Sequence, residues 1–177
     1  PDDAEITSSI VLIINENMKT TVFKYLSLII FTTIYFYLFT RVLWRVGDEG
    51  IIVYGAALVS KGAIPYKEFF EVMGPLTFFW LGFFFKLFGT KLIVARGVLL
   101  FTGVSTIFLI YLMTRKYYRG SFDYLPAVLY IVLSIPLWPA NNHHWDSNLF
   151  VLLSVILFLT WWDKGGLLNL SLSGLTA

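Results

Sequence analysis

The chain has 177 residues, of which 58% are hydrophobic, 19% aromatic and 14% charged, with a net charge of +2 and no cysteine. Soluble domains of this size hold about 45–50% apolar and about 25% charged residues, because water must wet their surface. The composition therefore excludes an ordinary soluble enzyme, a disulfide scaffold, a disordered chain and a cysteine-based metal site. The 13 basic residues are spread along the chain, so nucleic acid is not an expected partner.

The first seventeen residues differ in character from the rest. They hold four acids and no base, which is the opposite of the basic start of a signal peptide. Met18 and Lys19, followed by an apolar run, are more typical of the start of a membrane protein. We therefore interpret residues 1–17 as an upstream extension without an assigned function, and residues 18–177 as the N-terminal part of a longer transmembrane domain.

Uncharged apolar runs follow at residues 25–40, 72–85, 97–114, 124–145 and 147–162. About 20 helical residues span the hydrocarbon core, and about 16–18 suffice when flanking Lys or Arg side chains reach the interface. Four runs are predicted to be transmembrane helices, whereas residues 72–85 either cross or enter and return. Because the runs lack the strict alternation of barrel strands, the predicted fold class is an all-α polytopic membrane protein.

Basic residues predict the orientation. Lysines precede the first run, and residues 115–119 form the densest basic loop, so both are expected on the cytoplasmic side. If residues 72–89 do not cross, the basic loop is cytoplasmic and residues 141–147 share the outer face with Asp48. If residues 72–89 cross, the two loops exchange sides. The charge rule favours the first arrangement.

A short amphipathic helix is predicted outside the membrane after the first run. Asp48 is suited to cap it, apolar side chains at positions 51, 52, 55, 56, 58 and 59 form a buried face, and Gly62 ends it. Such a helix lies along the membrane surface. Asp48 and Glu49 are either a cap and its solvated neighbour, or a carboxylate pair that acts as a general base or cation ligand.

A second polar cluster, residues 139–148, contains both histidines of the chain. In an extended loop, His144 and Asp146 point to the same side and suit a phosphate, a hydrogen bond or a cation. His143 then points away, so a divalent cation would need further ligands from elsewhere. The alternative is a polar turn in which Asp146 caps the next helix.

Arg96 begins another apolar run. It either extends its side chain to the interface or holds a lipid phosphate. Tyrosine and tryptophan side chains near helix ends are more often interfacial anchors than sugar-binding platforms. The sequence has no Walker, GxSxG or HExxH motif, which excludes soluble nucleotide hydrolases, serine hydrolases and zinc proteases of those types.

Several short motifs occur in a fixed order along the chain. They are Asp48-Glu49-Gly50, Tyr54-Gly-Ala-Ala-Leu58, Lys61-Gly62-Ala-Ile-Pro65-Tyr66, Phe69-Phe70-Glu71, Gly74-Pro75-Leu76, Leu87-Phe88-Gly89 and Arg96. Through them the chain resembles membrane glycosyltransferases of the GT-C fold. The similarity is to bacterial protein O-mannosyltransferase-like and aminoarabinose-transferase-like enzymes, including the RgtA/B/C/D-like domain. It extends over residues 19–162.

The resemblance implies an activity and a location. Such enzymes transfer a sugar from a polyprenyl-phosphate donor to a glycan, lipid or protein acceptor in the cell envelope, at the outer face of the bacterial inner membrane. It implies no definite cofactor and leaves open whether a divalent cation is required. Membrane lipids are the other expected partners.

The resemblance also implies roles for individual residues. Asp48 matches the acid thought to activate the acceptor, Glu49 stands beside it, and Asp146 matches a second acid. Glu71 departs from the family pattern, because three residues separate it from the next proline where those enzymes have a single lysine. The side chains expected to bind donor or acceptor are Tyr54, Tyr66, Glu71, Arg96, His143 and His144.

Two other classes of function are alternatives. In an ion-coupled transporter, Asp48, Glu49 and Asp146 would form a proton or ion relay. Transporters often have internal repeats and place acids near the membrane midplane, whereas these acids lie outside the apolar runs and no repeat is evident. The third class is a non-catalytic membrane subunit.

Overall fold

The computed structural model describes the backbone of residues 3–40, 48–118, 120 and 122–176, and the side chains of residues 18–39, 49–118, 120 and 122–176. These residues form seven helices: α1 Asp3–Thr40, α2 Asp48–Ser60, α3 Pro75–Phe88, α4 Leu92–Tyr117, α5 Leu125–Leu137, α6 His143–Lys164 and α7 Leu167–Thr176. Within these ranges the only strand-like pairing is an isolated bridge between Pro65 and Phe69. The predicted all-α fold class is confirmed.

Three helical segments are long and apolar enough to cross a membrane, namely Met18–Phe39, Leu92–Tyr117 and His143–Lys164. They contain the predicted runs 97–114 and 147–162 and all but the last residue of the predicted run 25–40. Large apolar side chains cover their outward faces, Leu38 and Phe101 among them, and such faces suit lipid acyl chains. The chain is therefore a helical membrane protein, as its composition predicts.

The predicted single helix over residues 124–145 is wrong. Helix α5 ends at Leu137 and α6 begins at His143, so a loop divides the run. Pro139 explains the break, because a proline disfavours helical backbone at the preceding residue, and Trp138 has φ −140° and ψ 68°. The 13 residues of α5 extend about 20 Å, less than the roughly 30 Å hydrocarbon core.

Helices α1, α4, α5 and α6 run between two ends of a bundle. At one end, Lys24 of α1 pairs with Asp123, just before α5, at 2.8 Å. Lys116 near the end of α4 pairs there with Asp163 near the end of α6 at 2.5 Å. We call this the basic end. It contains the start of the apolar part of α1 and the described part of the predicted basic loop; Arg119 lies outside the described residues.

We call the opposite end the polar end. There the rings of Phe36, in the last turns of α1, and Trp145, in the first turn of α6, have centroids 5.3 Å apart. Arg96, in the first turns of α4, pairs with Glu49 at the start of α2. The chain thus leaves α1 and enters α4 at the same end, so the intervening α2 and α3 return without crossing the bundle.

This path answers the question about residues 72–89. Helix α3 packs on α2 and on α4, where the Trp80 indole N–H donates to the Thr102 hydroxyl at 3.1 Å. The start of α2 and the loop before α6 share the polar end, and the loop after α4 lies at the basic end. Residues 72–89 thus start and end at one end of the bundle, as in the arrangement that the charge rule favours, and the alternative in which they connect opposite ends is not observed. The assignment of the basic end to the cytoplasm stays a prediction.

Two apolar clusters meet on α4. One joins α1, α4, α5 and α6 and includes Phe36, and the other joins α2, α3 and α4 and includes Ile52 and Phe78. Helix α2 has its predicted length and ends before Gly62, which has φ 100°. Its apolar face is narrower than predicted, because Ile51 is exposed.

Gly103 allows α1 and α4 to pack closely. A Cβ atom at this position would overlap the ring of Phe36, which is buried. We expect Gly103→Val to destabilise the fold by roughly 1–3 kcal/mol through overpacking, measured as thermal unfolding in detergent. Gly97→Val on the same helix is the matched control, because nothing lies within 4 Å of a Cβ there. Equal effects of the two changes would contradict this packing.

The two ends of the bundle predict opposite labelling from the two sides of a membrane. The chain has no cysteine, so single cysteines report unambiguously. We expect Lys67→Cys, in the exposed turn between α2 and α3, to react with a membrane-impermeant thiol reagent on intact cells. Tyr118→Cys, exposed just after α4, should react only after permeabilisation. Reaction of both from the same side would refute the crossing pattern.

Candidate functional site

An ion pair joins the starts of α2 and α4 at the polar end. The Arg96 guanidinium lies 2.6 Å from Glu49 Oε2, and the two side chains are only 11% and 16% exposed. A second guanidinium nitrogen donates to the Pro139 carbonyl at 2.8 Å. Removing two charges from water is costly unless each finds partners, and here both have them. Glu49 is therefore not a solvated neighbour of Asp48, and that interpretation is wrong. Arg96 is held by protein groups at the polar end and does not extend freely into solvent.

Asn141 completes this cluster from the loop before α6. Its backbone N–H and its side-chain amide lie 3.4 Å and 3.2 Å from Glu49 Oε1. Both carboxylate oxygens of Glu49 thus already accept hydrogen bonds, one set from Arg96 and one from Asn141. This geometry suits holding the two elements together better than taking a proton from a substrate.

The loop before α6 is fixed by its own contacts. Asn142 Oδ1 accepts a hydrogen bond from the His144 backbone N–H at 3.0 Å, so Asn142 is the N-cap of α6. The indole N–H of buried Trp145 donates to the Trp138 carbonyl at 3.0 Å. The prediction that Asp146 caps this helix is therefore wrong: it lies inside the first turn.

Asp146 links α6 to α3. The hydroxyl of Thr77, a buried residue at the start of α3, donates to Asp146 Oδ2 at 2.5 Å. Asp146 itself is partly buried. Sequence reasoning missed Thr77, although the one hydroxyl of α3, in its first turn and before a run of apolar residues, was an available signal.

The two histidines begin α6 and do not lie in an extended loop. Successive helical residues are rotated by about 100°, so His144 and Asp146 do not share one side, contrary to the prediction. The rings of His143 and His144 lie side by side with centroids 4.1 Å apart, so the prediction that they point apart is wrong. Among the described residues, no three His, Asp or Glu side chains are grouped as metal ligands.

Tyr54, Tyr66 and Glu71 lie in α2 and in the turn before α3. Tyr54 is 67% exposed. Tyr66 has φ 64°, its backbone N–H donates to the Phe69 carbonyl at 2.7 Å, and its hydroxyl donates to the Met73 carbonyl. Tyr66 therefore holds the turn together. No contact among the described side chains joins these three residues to the pair of Glu49 and Arg96.

The resemblance gives Asp48 the central role, that of the acid that activates the acceptor. Helix α2 begins at this residue, immediately before Glu49. Its side chain lies outside the described residues, so its roles as helix cap or general base stay predictions. Its backbone position at the start of α2 belongs to the polar end.

The polar end has a distinctive electrostatic arrangement. The starts of α2, α3, α4 and α6 carry Glu49, Thr77, Arg96 and Asp146, and these residues are joined in two contacting pairs. Helix starts carry partial positive charge, which favours the carboxylates of Glu49 and Asp146 at these positions. Protein-family models, curated proteins and solved structures contain no match to this chain. Its function is therefore inferred from its own residues and contacts.

Proposed function

We propose that the chain is part of a GT-C type glycosyltransferase that moves a sugar from a polyprenyl-phosphate donor to a hydroxyl acceptor at the polar end. The observation that carries the proposal is the largely buried Arg96, held by Glu49 at the end of the bundle where Asp48 begins α2. The order of the motifs quoted above agrees with it. Residues 18–177 would then be the N-terminal part of the catalytic transmembrane domain.

The chemistry requires a base and a stabilised leaving group. The acceptor hydroxyl gives its proton to a carboxylate, its oxygen bonds to the sugar C1, and the C1–oxygen bond to the donor phosphate breaks. The polyprenyl phosphate leaves with the electron pair of that bond as an anion. Asp48 and Asp146 are the candidate bases, and Arg96 with the surrounding helix starts is the candidate stabiliser of the anion.

Glu49 has a different role in this proposal from the one its position beside Asp48 first suggested. Because both of its oxygens are engaged by Arg96 and Asn141, we assign it to positioning Arg96. Tyr54 and Tyr66 lie along α2 and the following turn, where an acceptor or the donor sugar would approach. The bacterial inner membrane, with acceptors on its outer face, is the proposed location.

An ion-coupled transporter is the second candidate. The observation that favours it is Asp146, a partly buried carboxylate within the membrane-length helix α6 that bonds to Thr77 of α3. A carboxylate shared between two helices is a common element of ion pathways. The acid lies in the first turn of α6 and not near the midplane, which favours the transferase.

One assay separates the candidates. Membranes that contain the full-length protein are incubated with a polyprenyl-phosphate sugar labelled in the sugar, and the label is followed into glycan, lipid and protein fractions. Transfer above that of membranes without the protein supports the proposal. Uptake into proteoliposomes that depends on an ion gradient, without transfer, supports the transporter. If neither transfer nor uptake is observed, the non-catalytic subunit is the remaining candidate.

A further inference from the structure

A cavity of about 750 Å³ opens at the basic end, remote from the polar end described above. It lies between the start of the apolar part of α1, the last turns of α4 and the segment before α5. Basic side chains from two helices line it, Lys24 from α1 and Arg115 and Lys116 from α4, with Asp123 as the one acid. Its walls therefore carry net positive charge.

The charges in this cavity are not equivalent. Lys24 is held by Asp123 at 2.8 Å, and Lys116 by Asp163 at 2.5 Å. Arg115 has no carboxylate partner among the described residues; one of its guanidinium nitrogens donates to the Tyr111 hydroxyl at the long distance of 3.5 Å. A guanidinium has five N–H donors in a planar fork that matches phosphate oxygens. Most of those donors are thus available to an anion in the cavity.

An apolar groove adjoins the cavity and shares Lys24 with it. The groove has a volume of about 260 Å³ and runs between α1 and α5, lined by Phe23, Ser27, Leu28, Phe31, Tyr124 and Val128. Its wall on α1 belongs to a segment long enough to cross a membrane, and Phe23 and Phe31 of that wall are exposed. A polar cavity with excess positive charge beside an apolar groove is complementary to one kind of molecule, which has a phosphate at one end and a hydrocarbon chain at the other.

We propose that the basic end binds an anionic glycerophospholipid, with its phosphate at Arg115 and Lys116 and an acyl chain in the groove between α1 and α5. The positive-inside rule assigns this end to the cytoplasmic leaflet, where anionic lipids attract basic side chains. The lipid bridges α1, α4 and α5 at the end of the bundle opposite the proposed transfer site. This inference does not depend on the proposed sugar transfer.

The test is a lipid titration of the full-length protein in detergent, followed by native mass spectrometry. The probes are phosphatidylglycerol, phosphatidylcholine with the same acyl chains, and free glycerol phosphate. We expect about tenfold tighter binding of phosphatidylglycerol than of phosphatidylcholine, and about a fivefold loss for Arg115→Gln, because one basic side chain near a lipid surface contributes about that factor. Arg115→Lys should retain most of the binding.

Two further variants separate charge from the groove. Lys61→Gln removes one charge from an exposed position after α2, and phosphatidylglycerol affinity should stay unchanged. Ser27→Trp fills the groove from an exposed position, leaves the charge intact, and should weaken phosphatidylglycerol binding without changing that of glycerol phosphate.

Three results would overturn the proposal. They are equal affinity for the two lipids, equal losses in Arg115→Gln and Lys61→Gln, and binding of glycerol phosphate as tight as that of phosphatidylglycerol. The last result would identify a site for a soluble phosphate. The outcomes are distinguishable from a failure of the transferase proposal, because no readout involves sugar transfer.

Discussion

Replacement of Arg96 by methionine is expected to destabilise the folded protein by about 3 kcal/mol, because Glu49 then stays mostly buried without its cation. The size follows from the burial of both side chains, which are 11% and 16% exposed. We place the cost at the lower end of the range for broken buried pairs, since Asn141 still donates to Glu49. Chemical unfolding in detergent measures it.

A double-mutant cycle separates the pair from the individual side chains. In the Arg96→Met background, Glu49→Leu should recover most of the lost stability, because it removes the charge left behind. Lys91→Met is the matched control: it removes a cation from the exposed N-cap position of α4, five residues earlier, and should change stability by less than about 0.5 kcal/mol. A coupling energy near zero between positions 49 and 96 would contradict the buried pair.

The sequence predicted those parts of the fold that depend on local signals. Helix α2 was predicted because a capping residue, an apolar face and Gly62 all lie within fifteen positions of one another. The return of α3 to the same end followed from the distribution of basic residues. The break after Leu137 was missed because the apolar content of residues 124–145 outweighed the signal of Pro139, which acts on the backbone without lowering hydropathy much.

The contacts of the candidate site depend on the tertiary fold. Arg96 and Glu49 are 47 positions apart, and Asp146 and Thr77 are 69 apart, so neither pair has a local pattern. Each residue was recognisable as polar near a helix start, and that is why Glu49, Arg96 and Asp146 were singled out. Which of them would meet depended on how α2 and α3 return to α4. The sequence could therefore identify most of the site's members but not their partners.

The two candidate bases make the strongest prediction about activity. If the proposed transfer occurs, the substitution that removes the base, Asp48→Asn or Asp146→Asn, should lower its rate about 100- to 10,000-fold, the range expected for loss of a general base. The assay is sugar transfer by membranes that contain equal amounts of inserted protein. A variant with full activity would remove that carboxylate from the mechanism.

The structure offers controls that separate chemistry from folding. Asp146→Asn keeps an oxygen that can accept the hydrogen bond from Thr77, so the contact between α3 and α6 should persist, whereas Thr77→Val removes the donor and keeps the charge. Asp163→Asn makes the same acid-to-amide change at the basic end, in a pair that is about 40% exposed, and should leave transfer unchanged. If Asp146→Asn lost activity while Thr77→Val retained most of it, the charge at position 146 would be the property that transfer requires. If both lost it equally, the shared hydrogen bond would matter instead, and Asp146 would be a positioning residue for α3.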